Sequence, residues 1–347
     1  MNILLIQLKR IGDLILTTPA VSAIRQTFPD ATITLVVSTG CSELLPAIPN
    51  IDTRYVIRRS PADIAILLAI ARTRFDACID FTRNKRSAVL TWLSRARKRI
   101  GSHRIQRRAP LRRRAYTDFV PGRMRDQHMI DYNLSLLQPL GIRGASPALR
   151  LVLPAETCHH AVELCRKAQI QQPFVIFHPG SARPEKFWEA HLWAEVITAA
   201  VQQWHFTAVL TAGPSPQEKM HLAGIESHLP RPEPGMSHRL VVDLSGKIDL
   251  LTLAALIAQA KLLVTVDSAP MHIAAATNTP QIVLFGPTNP FHWRPRNSPA
   301  VILQGGSVLQ AEDFAPRRQG SSMKLISTQS VIDAMNSLLS MPTARGL

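Results

Sequence analysis

The sequence predicts an α/β protein of two domains, each built on a parallel sheet with helices on both faces. Short runs of aliphatic and β-branched residues alternate with longer helical stretches, a pattern typical of buried parallel strands. Most of these runs end in a Gly, Ser or Asp turn. The 347 residues, 46% of them hydrophobic, are enough for two cores of ordinary size.

The first half opens with a strand, NILLIQL, followed by a Gly-Asp turn and an apolar helix that reaches Phe28. Three more strands are predicted at ATITLVVS, TRYVIR and FDACIDF. The opening run has no basic segment before it and no small-residue cleavage site, so we interpret it as a strand and not as a signal peptide. The four cysteines lack CxxC spacing, which favours reduced, mostly buried thiols in a cytoplasmic protein.

Most of the positive charge lies between Arg83 and Arg125. This basic stretch holds fifteen arginines and lysines and one acid, Asp118, in a chain of formal net charge +16. It is interrupted by turn-forming residues that include Gly101, Pro110 and Pro121, and we expect an insertion or a long connection. So concentrated a charge predicts a polyanionic partner, whether nucleic acid, an anionic membrane surface or a phosphorylated substrate. The alternative is a solvated loop.

The second half repeats the alternation without repeating the sequence. We predict a first domain over residues 1–165, with the basic stretch 83–125 inside it, and a second domain over residues 172–325. The second domain has five predicted strands: FVIFHPG, HFTAVLTAG, LVVDLSG, LLVTVDS and QIVLFGP. An amphipathic helix in residues 326–347, from Thr328 to Leu339, is expected to pack back on the first domain. Open parallel sheets bind ligands outside the carboxyl ends of their strands, which predicts a cleft there.

The turn after the first strand carries Gly12 and Asp13. The glycine allows a tight turn, and the carboxylate could act as a general base toward a substrate hydroxyl. An N-cap for the following helix is the alternative, and the residues alone favour it.

Three further turns in the second half carry polar side chains. HPGSARPEKFW combines a loop of backbone N–H groups with Lys186, a combination that suits a phosphate. In TAGPSPQEK, Glu218 could accept hydrogen bonds from a ribose diol or could complement a helix dipole. In VDSAPMH, we expect Asp267 and Ser268 to cap a helix whose N-terminus, with His272, suits a phosphate. A satisfied core histidine is the alternative for His272.

Several catalytic signatures are missing. No two aspartates lie two residues apart, so the DxD motif that binds a metal–diphosphate is absent, and no metal site is predicted. The sequence also lacks GxGxxG after a strand, HExxH and GxSxG. A hydride-transfer enzyme, a zinc hydrolase and a serine esterase are therefore disfavoured.

Together these stretches resemble glycosyltransferase family 9, the ADP-heptose:lipopolysaccharide heptosyltransferases. The resemblance rests on GDLILTTPAVSAIR, HPGSARPEKFW, DSAPMHIAAA and FGPTNPFHWRP, in the same order along nearly the whole chain. DSAPMH and the HWRP ending are most similar to the heptosyltransferase III branch. The resemblance implies a GT-B fold, with two Rossmann-like parallel-sheet domains facing a central cleft. It also implies inverting, metal-independent transfer of heptose from ADP-L-glycero-D-manno-heptose to a heptose of the lipopolysaccharide inner core, without a cofactor.

The resemblance also implies roles for individual residues. Asp13 would deprotonate the acceptor hydroxyl. The residues implied to bind the donor are Ser181, Lys186, Glu218, Ile248, Asp267, Ser268, Ala269 and His272, with Glu218 on the ribose and Ile248 beside the adenine. The expected acceptor contacts are Gly12, Arg83, Arg104, Arg112 and Arg113. The acceptor, a lipopolysaccharide core on lipid A, would place the enzyme in the cytoplasm, peripherally on the inner membrane of a Gram-negative bacterium.

Other functions stay open at this stage. Within the family, heptosyltransferase II or another sugar transferase is the alternative, and a nucleotide-sugar epimerase shares the fold. A nucleic-acid-binding protein is the alternative from another class. Only three aromatic residues lie in the basic stretch to stack bases, which makes nucleic acid an unlikely partner: Trp92, Tyr116 and Phe119.

Overall fold

The computed structural model describes residues 1–108, 110–230 and 240–340, and the chain divides into two compact units, Met1–Val152 and Leu153–Leu347. The predicted boundary at residue 165 is therefore wrong by about one helix. The helix from Ala155 to Lys167 buries Thr157, Ala161 and Cys165 and packs on a helix of the second unit. Because its apolar stripe needs a surface to cover, it belongs to that unit.

The first unit is a six-stranded parallel sheet in the order β3-β2-β1-β4-β5-β6. From β1 the chain adds strands first on one side of the sheet and then, from β4 onward, on the other side. We call the position between β1 and β4 the reversal point of this sheet, and use the same term for the second sheet. The elements are β1 Asn2–Gln7, α1 Ile11–Ile15, α2 Thr18–Thr27, β2 Thr32–Ser38, β3 Thr53–Ile57, α3 Asp63–Arg72, β4 Ala77–Asp80, α4 Lys85–Leu93, β5 Lys98–Ser102, α5 His103–Arg108, α6 Pro110–Arg113, β6 Asp118–Val120 and α7 Met129–Ser135.

The basic stretch is part of this sheet, so the expectation of an insertion or a long connection is wrong. It contains α4, β5, α5, α6 and β6. Its apolar side chains are few, and some of them form a small core of their own: Ala88, Ile105, Ala115 and Tyr116, with Phe119 packed against them. This core and the strand pairing are sufficient to stabilise regular helices and strands. The sequence did not predict them because arginines at exposed positions obscure the hydrophobic period.

The second unit is a seven-stranded sheet in the order β13-β12-β11-β10-β7-β8-β9. All its strand pairs are parallel except the β12–β13 hairpin. The elements are α8 Ala155–Lys167, β7 Phe174–His178, α9 Ala190–Trp204, β8 Thr207–Leu210, α10 Pro216–His228, β9 Val241–Asp243, α11 Leu250–Gln259, β10 Leu262–Val266, α12 Ala269–Thr277, β11 Gln281–Phe285, α13 Pro290–Trp293, β12 Ala300–Gln304, β13 Ser307–Val308 and α14 Thr328–Leu339.

Helix α14 has the predicted bounds but not the predicted position. It packs on α9 and on β12 of the second unit. Its buried residues recur at helical spacing and join the core of that unit: Val331, Ala334, Met335 and Leu338. The structure therefore places this helix on the second unit and not on the first. Among the described helices, none is long and apolar enough to cross a membrane.

Candidate active site

The strand order brings four predicted loops together at one edge of the second sheet. Strands β10, β7, β8 and β9 are neighbours and run parallel, so the loops after them leave from the same edge. These loops and the helices that they begin hold all the residues predicted to bind the donor: Ser181, Lys186, Glu218, Ile248, Asp267, Ser268, Ala269 and His272. The reversal point of the sheet lies between β7 and β10, where open α/β sheets bind ligands.

A buried ion pair spans this reversal point. Lys186, after β7, donates from Nζ to the Oδ2 of Asp267 at 2.5 Å and to its backbone carbonyl at 2.9 Å. The two side chains are only 10% and 8% exposed. Asp267 therefore does not cap α12 as expected, because its carboxylate holds the lysine. The two residues lie 81 positions apart, which is why the sequence did not reveal the pair.

Helix α12 begins beside this ion pair. Ser268 is its N-cap residue but makes no side-chain capping hydrogen bond, and Ala269 and Pro270 follow in the first turn. The first N–H groups of a helix have no partner within the helix and carry a partial positive charge. His272 is buried in the same helix. This end of α12 thus offers donors and positive potential to an anion, next to the ammonium of Lys186.

His178, at the end of β7, is a buried residue of this edge to which sequence analysis gave no role. Its Nδ1 lies 2.9 Å from Oγ1 of Thr211, and its carbonyl accepts a hydrogen bond from Thr265 Oγ1 at 3.0 Å. Burial lowers the pKa of His178 to about 4, so its imidazole is neutral at pH 7. It therefore adds no charge to the site.

The carboxylate of Glu218 lies against the backbone of two loops, those after β7 and β8. Its carboxylate accepts hydrogen bonds from the Gly213 N–H at 3.2 Å and from Ser215 Oγ at 2.8 Å. A Cβ on Gly213 would lie 2.5 Å from one carboxylate oxygen, and a Cβ on Gly180 would also clash with the carboxylate. A side chain at either glycine would therefore force the carboxylate of Glu218 to move away from the backbone of that loop.

The remaining predicted donor contacts flank this center. Ser181 is buried, and its Oγ accepts a hydrogen bond from the Arg183 N–H at 3.3 Å. Ile248 is half-buried in the loop after β9, directly before the N-cap residue of α11, Asp249. Apart from Ala269, it is the apolar side chain of the predicted set, and it lies in the loop at the β9 end of the four neighbouring loops.

In the first unit, Asp13 lies at the reversal point between β1 and β4. It is the third residue of α1, whose N-cap residue is Arg10, and Gly12 also lies inside the helix. The prediction that Gly12 makes the turn is therefore wrong, and Asp13 is not an N-cap. Its Oδ1 instead accepts a hydrogen bond from Lys9 Nζ at 3.2 Å. Burial lowers the pKa of Lys9, Arg83 lowers it further, and the negative charge of Asp13 opposes both effects.

A buried carboxylate at the end of β4 holds the neighbouring loop. Asp80 Oδ1 accepts hydrogen bonds from the backbone of Thr82 and Arg83, and Oδ2 accepts from Ser87 Oγ and from the Tyr116 hydroxyl at 2.5 Å. Burial raises the pKa of Asp80. The site of the first unit thus includes a structural acid that sequence analysis missed, since one of its partners, Tyr116, lies 36 residues away.

Two of the predicted acceptor residues meet at this loop. Arg83 has a left-handed backbone with φ of 67°, and its guanidinium lies 4.8 Å from the ring center of Tyr132. Arg112 donates from Nη1 to the Arg83 carbonyl at 3.1 Å. Arg104 and Arg113 are exposed on α5 and α6. The structure brings Arg83 and Arg112 together and shows no contact that ties Arg104 or Arg113 to them.

The whole chain is similar to proteins of known class. The family model described as glycosyltransferase family 9 (heptosyltransferase) matches residues 65–319. The chain is 28% identical to lipopolysaccharide heptosyltransferase 3 of Escherichia coli, over 94% of this chain and 96% of that protein. A glycosyl transferase family 9 structure from Veillonella parvula DSM 2008 is 25% identical, with a TM-score of 0.80 over 97% of both chains. The structure of E. coli ADP-heptose LPS heptosyltransferase II has a TM-score of 0.78 over 98% of both chains, at 21% identity.

Two parallel sheets with helices on both faces, each with polar groups gathered at its reversal point, define an α/β glycosyltransferase of the GT-B fold. The chain belongs to glycosyltransferase family 9, the heptosyltransferases, and is a heptosyl-transferring enzyme.

Proposed function

We propose that this enzyme moves heptose from ADP-L-glycero-D-manno-heptose to a heptose of the lipopolysaccharide inner core, with inversion and without a metal ion. The observation that carries the proposal is the buried pair of Lys186 and Asp267 beside the N-terminus of α12. Two Escherichia coli relatives, 28% and 29% identical, are lipopolysaccharide heptosyltransferases 3, which supports acceptor specificity of the heptosyltransferase III type.

The donor half of the reaction follows from the second unit. As the bond from the sugar to the diphosphate breaks, its electron pair stays on the β-phosphate oxygen. Lys186, aimed by Asp267, and the first N–H groups of α12 can stabilise that developing charge without a metal ion. Around them, Ser181, Ser268, Ala269 and His272 contact the diphosphate. Glu218 takes the ribose and Ile248 lines the adenine pocket.

The acceptor half follows from the first unit. Asp13 takes the proton from the acceptor hydroxyl while that oxygen attacks the anomeric carbon on the face opposite the diphosphate. One carbon–oxygen bond forms as the other breaks, which inverts the configuration. Lys9 keeps the Asp13 carboxylate in place for this step.

The acceptor is a polyanion, and the basic stretch supplies complementary charge. Arg83, Arg104, Arg112 and Arg113 carry planar guanidinium groups that suit phosphates and carboxylates of the core. The backbone at Gly12, next to the base, completes the proposed acceptor contacts. Because such an acceptor is anchored by lipid A, the enzyme acts in the cytoplasm, peripherally on the inner membrane.

A transfer assay tests this proposal. Purified enzyme is incubated with ADP-heptose, in the presence of EDTA, and with core lipopolysaccharides that end after the first or the second heptose. We expect a product one heptose heavier by mass spectrometry, with an inverted anomeric center by NMR, and preferential use of the acceptor with two heptoses. Transfer only to the acceptor with one heptose points instead to a heptosyltransferase II. Retention of configuration, or dependence on a divalent cation, contradicts the mechanism.

A further inference from the structure

The outer surface of α3 and α4 exposes large apolar side chains. Ile64 on α3 is 58% exposed and Trp92 on α4 is 62% exposed, and Leu68 and Val89 are exposed as well. On each helix these residues are spaced three or four positions apart, so they form one stripe per helix. Apolar stripes of this kind normally face a core, but these two face solvent.

The two stripes lie side by side. The opposite sides of both helices enter the same core cluster on one face of the first sheet, through residues that include Ile70 of α3 and Leu90 of α4. The helices also contact each other. Because both cover the same sheet face, their outer stripes point away from it together.

Cations border this apolar surface at both ends. Lys85 and Arg86 are exposed at the start of α4. At the other end, the carboxyl ends of the two helices border a groove of about 630 Å³ lined by four exposed arginines: Arg72, Arg74, Arg95 and Arg97. We call the four apolar and six basic side chains together the apolar–basic face.

Two carboxylates lie near this face, and both are engaged by backbone groups. Asp63, at the start of α3, accepts hydrogen bonds from the N–H groups of Arg58 and Arg59. Asp76, in the groove, accepts a hydrogen bond from the Asn2 N–H at 2.7 Å. No described ion pair involves any of the six basic residues of the face. The surface that would complement the positive charge of this face is therefore an anionic one.

We propose that the apolar–basic face docks the enzyme on an anionic phospholipid bilayer. Trp92 and the three aliphatic side chains enter the headgroup region, where tryptophan is favoured and apolar side chains gain from burial. The arginines of the groove contact lipid phosphates, for which their guanidinium geometry is suited. The inference rests on the membrane location in the proposed function and adds the surface responsible, which lies largely on α3 and α4 and not on the acceptor arginines of α5 and α6.

Vesicle binding by the full chain tests the apolar part. The probes are vesicles of phosphatidylglycerol with phosphatidylethanolamine, and vesicles of phosphatidylcholine alone. We expect the wild type to sediment with the anionic vesicles only. The variant Val89→Ser/Trp92→Ser should bind them at least tenfold more weakly, whereas Met220→Ser, an exposed apolar residue of the second unit, should bind like the wild type.

The basic part has a charge-matched control. Arg72→Gln/Arg74→Gln, which leaves the basic stretch intact, should lower the partition coefficient by about fivefold for each cation removed. Arg143→Gln/Arg166→Gln removes the same charge from exposed positions elsewhere and should have a smaller effect. Tryptophan fluorescence gives a direct readout, because a blue shift on vesicle binding should be present in the wild type and absent in Trp92→Phe.

Three outcomes overturn the proposal. These are unchanged vesicle binding by the two apolar–basic variants, equal binding to zwitterionic vesicles, and a wild-type dimer in ultracentrifugation that the Val89→Ser/Trp92→Ser variant disrupts. Transfer to a soluble, delipidated core acceptor is measured in parallel and should be the same in all variants. Vesicle binding without any heptosyl transfer refutes the proposed function and leaves the docking surface standing, so the two failures are distinguishable.

Discussion

At the scale of single residues, the mechanism that we propose for the first unit depends on one carboxylate and its partner. Asp13 Oδ1 and Lys9 Nζ lie 3.2 Å apart, and neither side chain caps the helix that carries the aspartate. The Asp13 carboxylate is therefore engaged by the Lys9 ammonium and not by the N-terminus of its own helix.

Asp13→Asn should nearly abolish transfer, because the amide cannot accept the proton of the acceptor hydroxyl. General bases typically contribute factors of about 10² to 10⁴, so kcat should fall by at least that lower factor. ADP binding, measured by calorimetry, should stay close to that of the wild type. A variant with wild-type turnover would remove Asp13 from the mechanism.

Lys9 should determine the alkaline limit of activity. Burial lowers its pKa below the usual 10.5, so the ammonium that holds Asp13 is lost at a lower pH than for an exposed lysine. Lys9→Arg keeps a cation at that position and should extend activity to higher pH, whereas Lys9→Met should lower kcat at every pH. The pH–rate profiles of the three proteins decide this, and identical alkaline limbs would contradict it.

His178 should make stability depend on pH. Burial lowers its pKa from 6.5 to about 4, so the unfolded chain binds more protons than the folded one between these values. The free energy of unfolding is therefore unaffected by this histidine above pH 6.5 and decreases as the pH falls toward 4. At pH 5 the decrease amounts to about 2 kcal/mol. Urea unfolding of the wild type and His178→Gln at pH 7.5 and 5 measures it. The same pH difference in both proteins would show that His178 does not contribute.

At the scale of elements, the residues predicted to bind the donor lie on a set of loops that the strand order makes adjacent. The sequence predicted the four strands that lead into these loops, β7, β8, β9 and β10, and their polar turns, because apolar runs with terminal Gly or Asp are local signals. It did not predict that Asp267 would pair with Lys186, since that contact depends on β10 lying next to β7. Nor did it predict β5 and β6, because KRIGS and DFV hold one and two apolar residues, too few for a local strand signal.

Variants of the Lys186–Asp267 pair, which links the β7 and β10 loops, should show that the effects on the free energy of unfolding and on ADP affinity have different causes. Lys186→Met leaves a buried carboxylate without its cation and should destabilise the protein by about 3 kcal/mol. Lys186→Met/Asp267→Asn should recover most of that loss, as measured by urea unfolding. Both variants should bind ADP much more weakly, because the ammonium is gone. Wild-type ADP affinity in the double variant would exclude Lys186 from the donor site.

At the scale of the whole molecule, two units of similar architecture carry different polar groups, and we propose that they bind different ligands. The second unit gathers a lysine and a helix N-terminus, which suit a diphosphate, and the first unit carries a carboxylate and most of the excess positive charge. The sequence predicted the two-sheet fold, because alternating strands and helices require parallel sheets. The exact division between the units was missed, because a helix following a boundary gives no local sign of which sheet it covers.

The charge distribution predicts that salt lowers kcat/KM for the acceptor much more than it changes the KM for the donor. Because screening weakens long-range attraction between the basic stretch and a polyanionic core, kcat/KM for the lipopolysaccharide acceptor should fall severalfold as NaCl rises from about 50 to about 500 mM. The KM for ADP-heptose, at saturating acceptor, should change much less. Equal salt sensitivity of both parameters would contradict a role for this charge in acceptor capture.

The donor site is the central claim, and calorimetric titration with ADP and with UDP, in EDTA, tests it most directly. The proteins compared are the wild type, His272→Ala in α12, and His228→Ala as an exposed histidine of the same unit. We predict selective binding of ADP that His272→Ala weakens and His228→Ala leaves unchanged. No nucleotide binding by the wild type, or binding that is equal for ADP and UDP and indifferent to His272, would contradict the account.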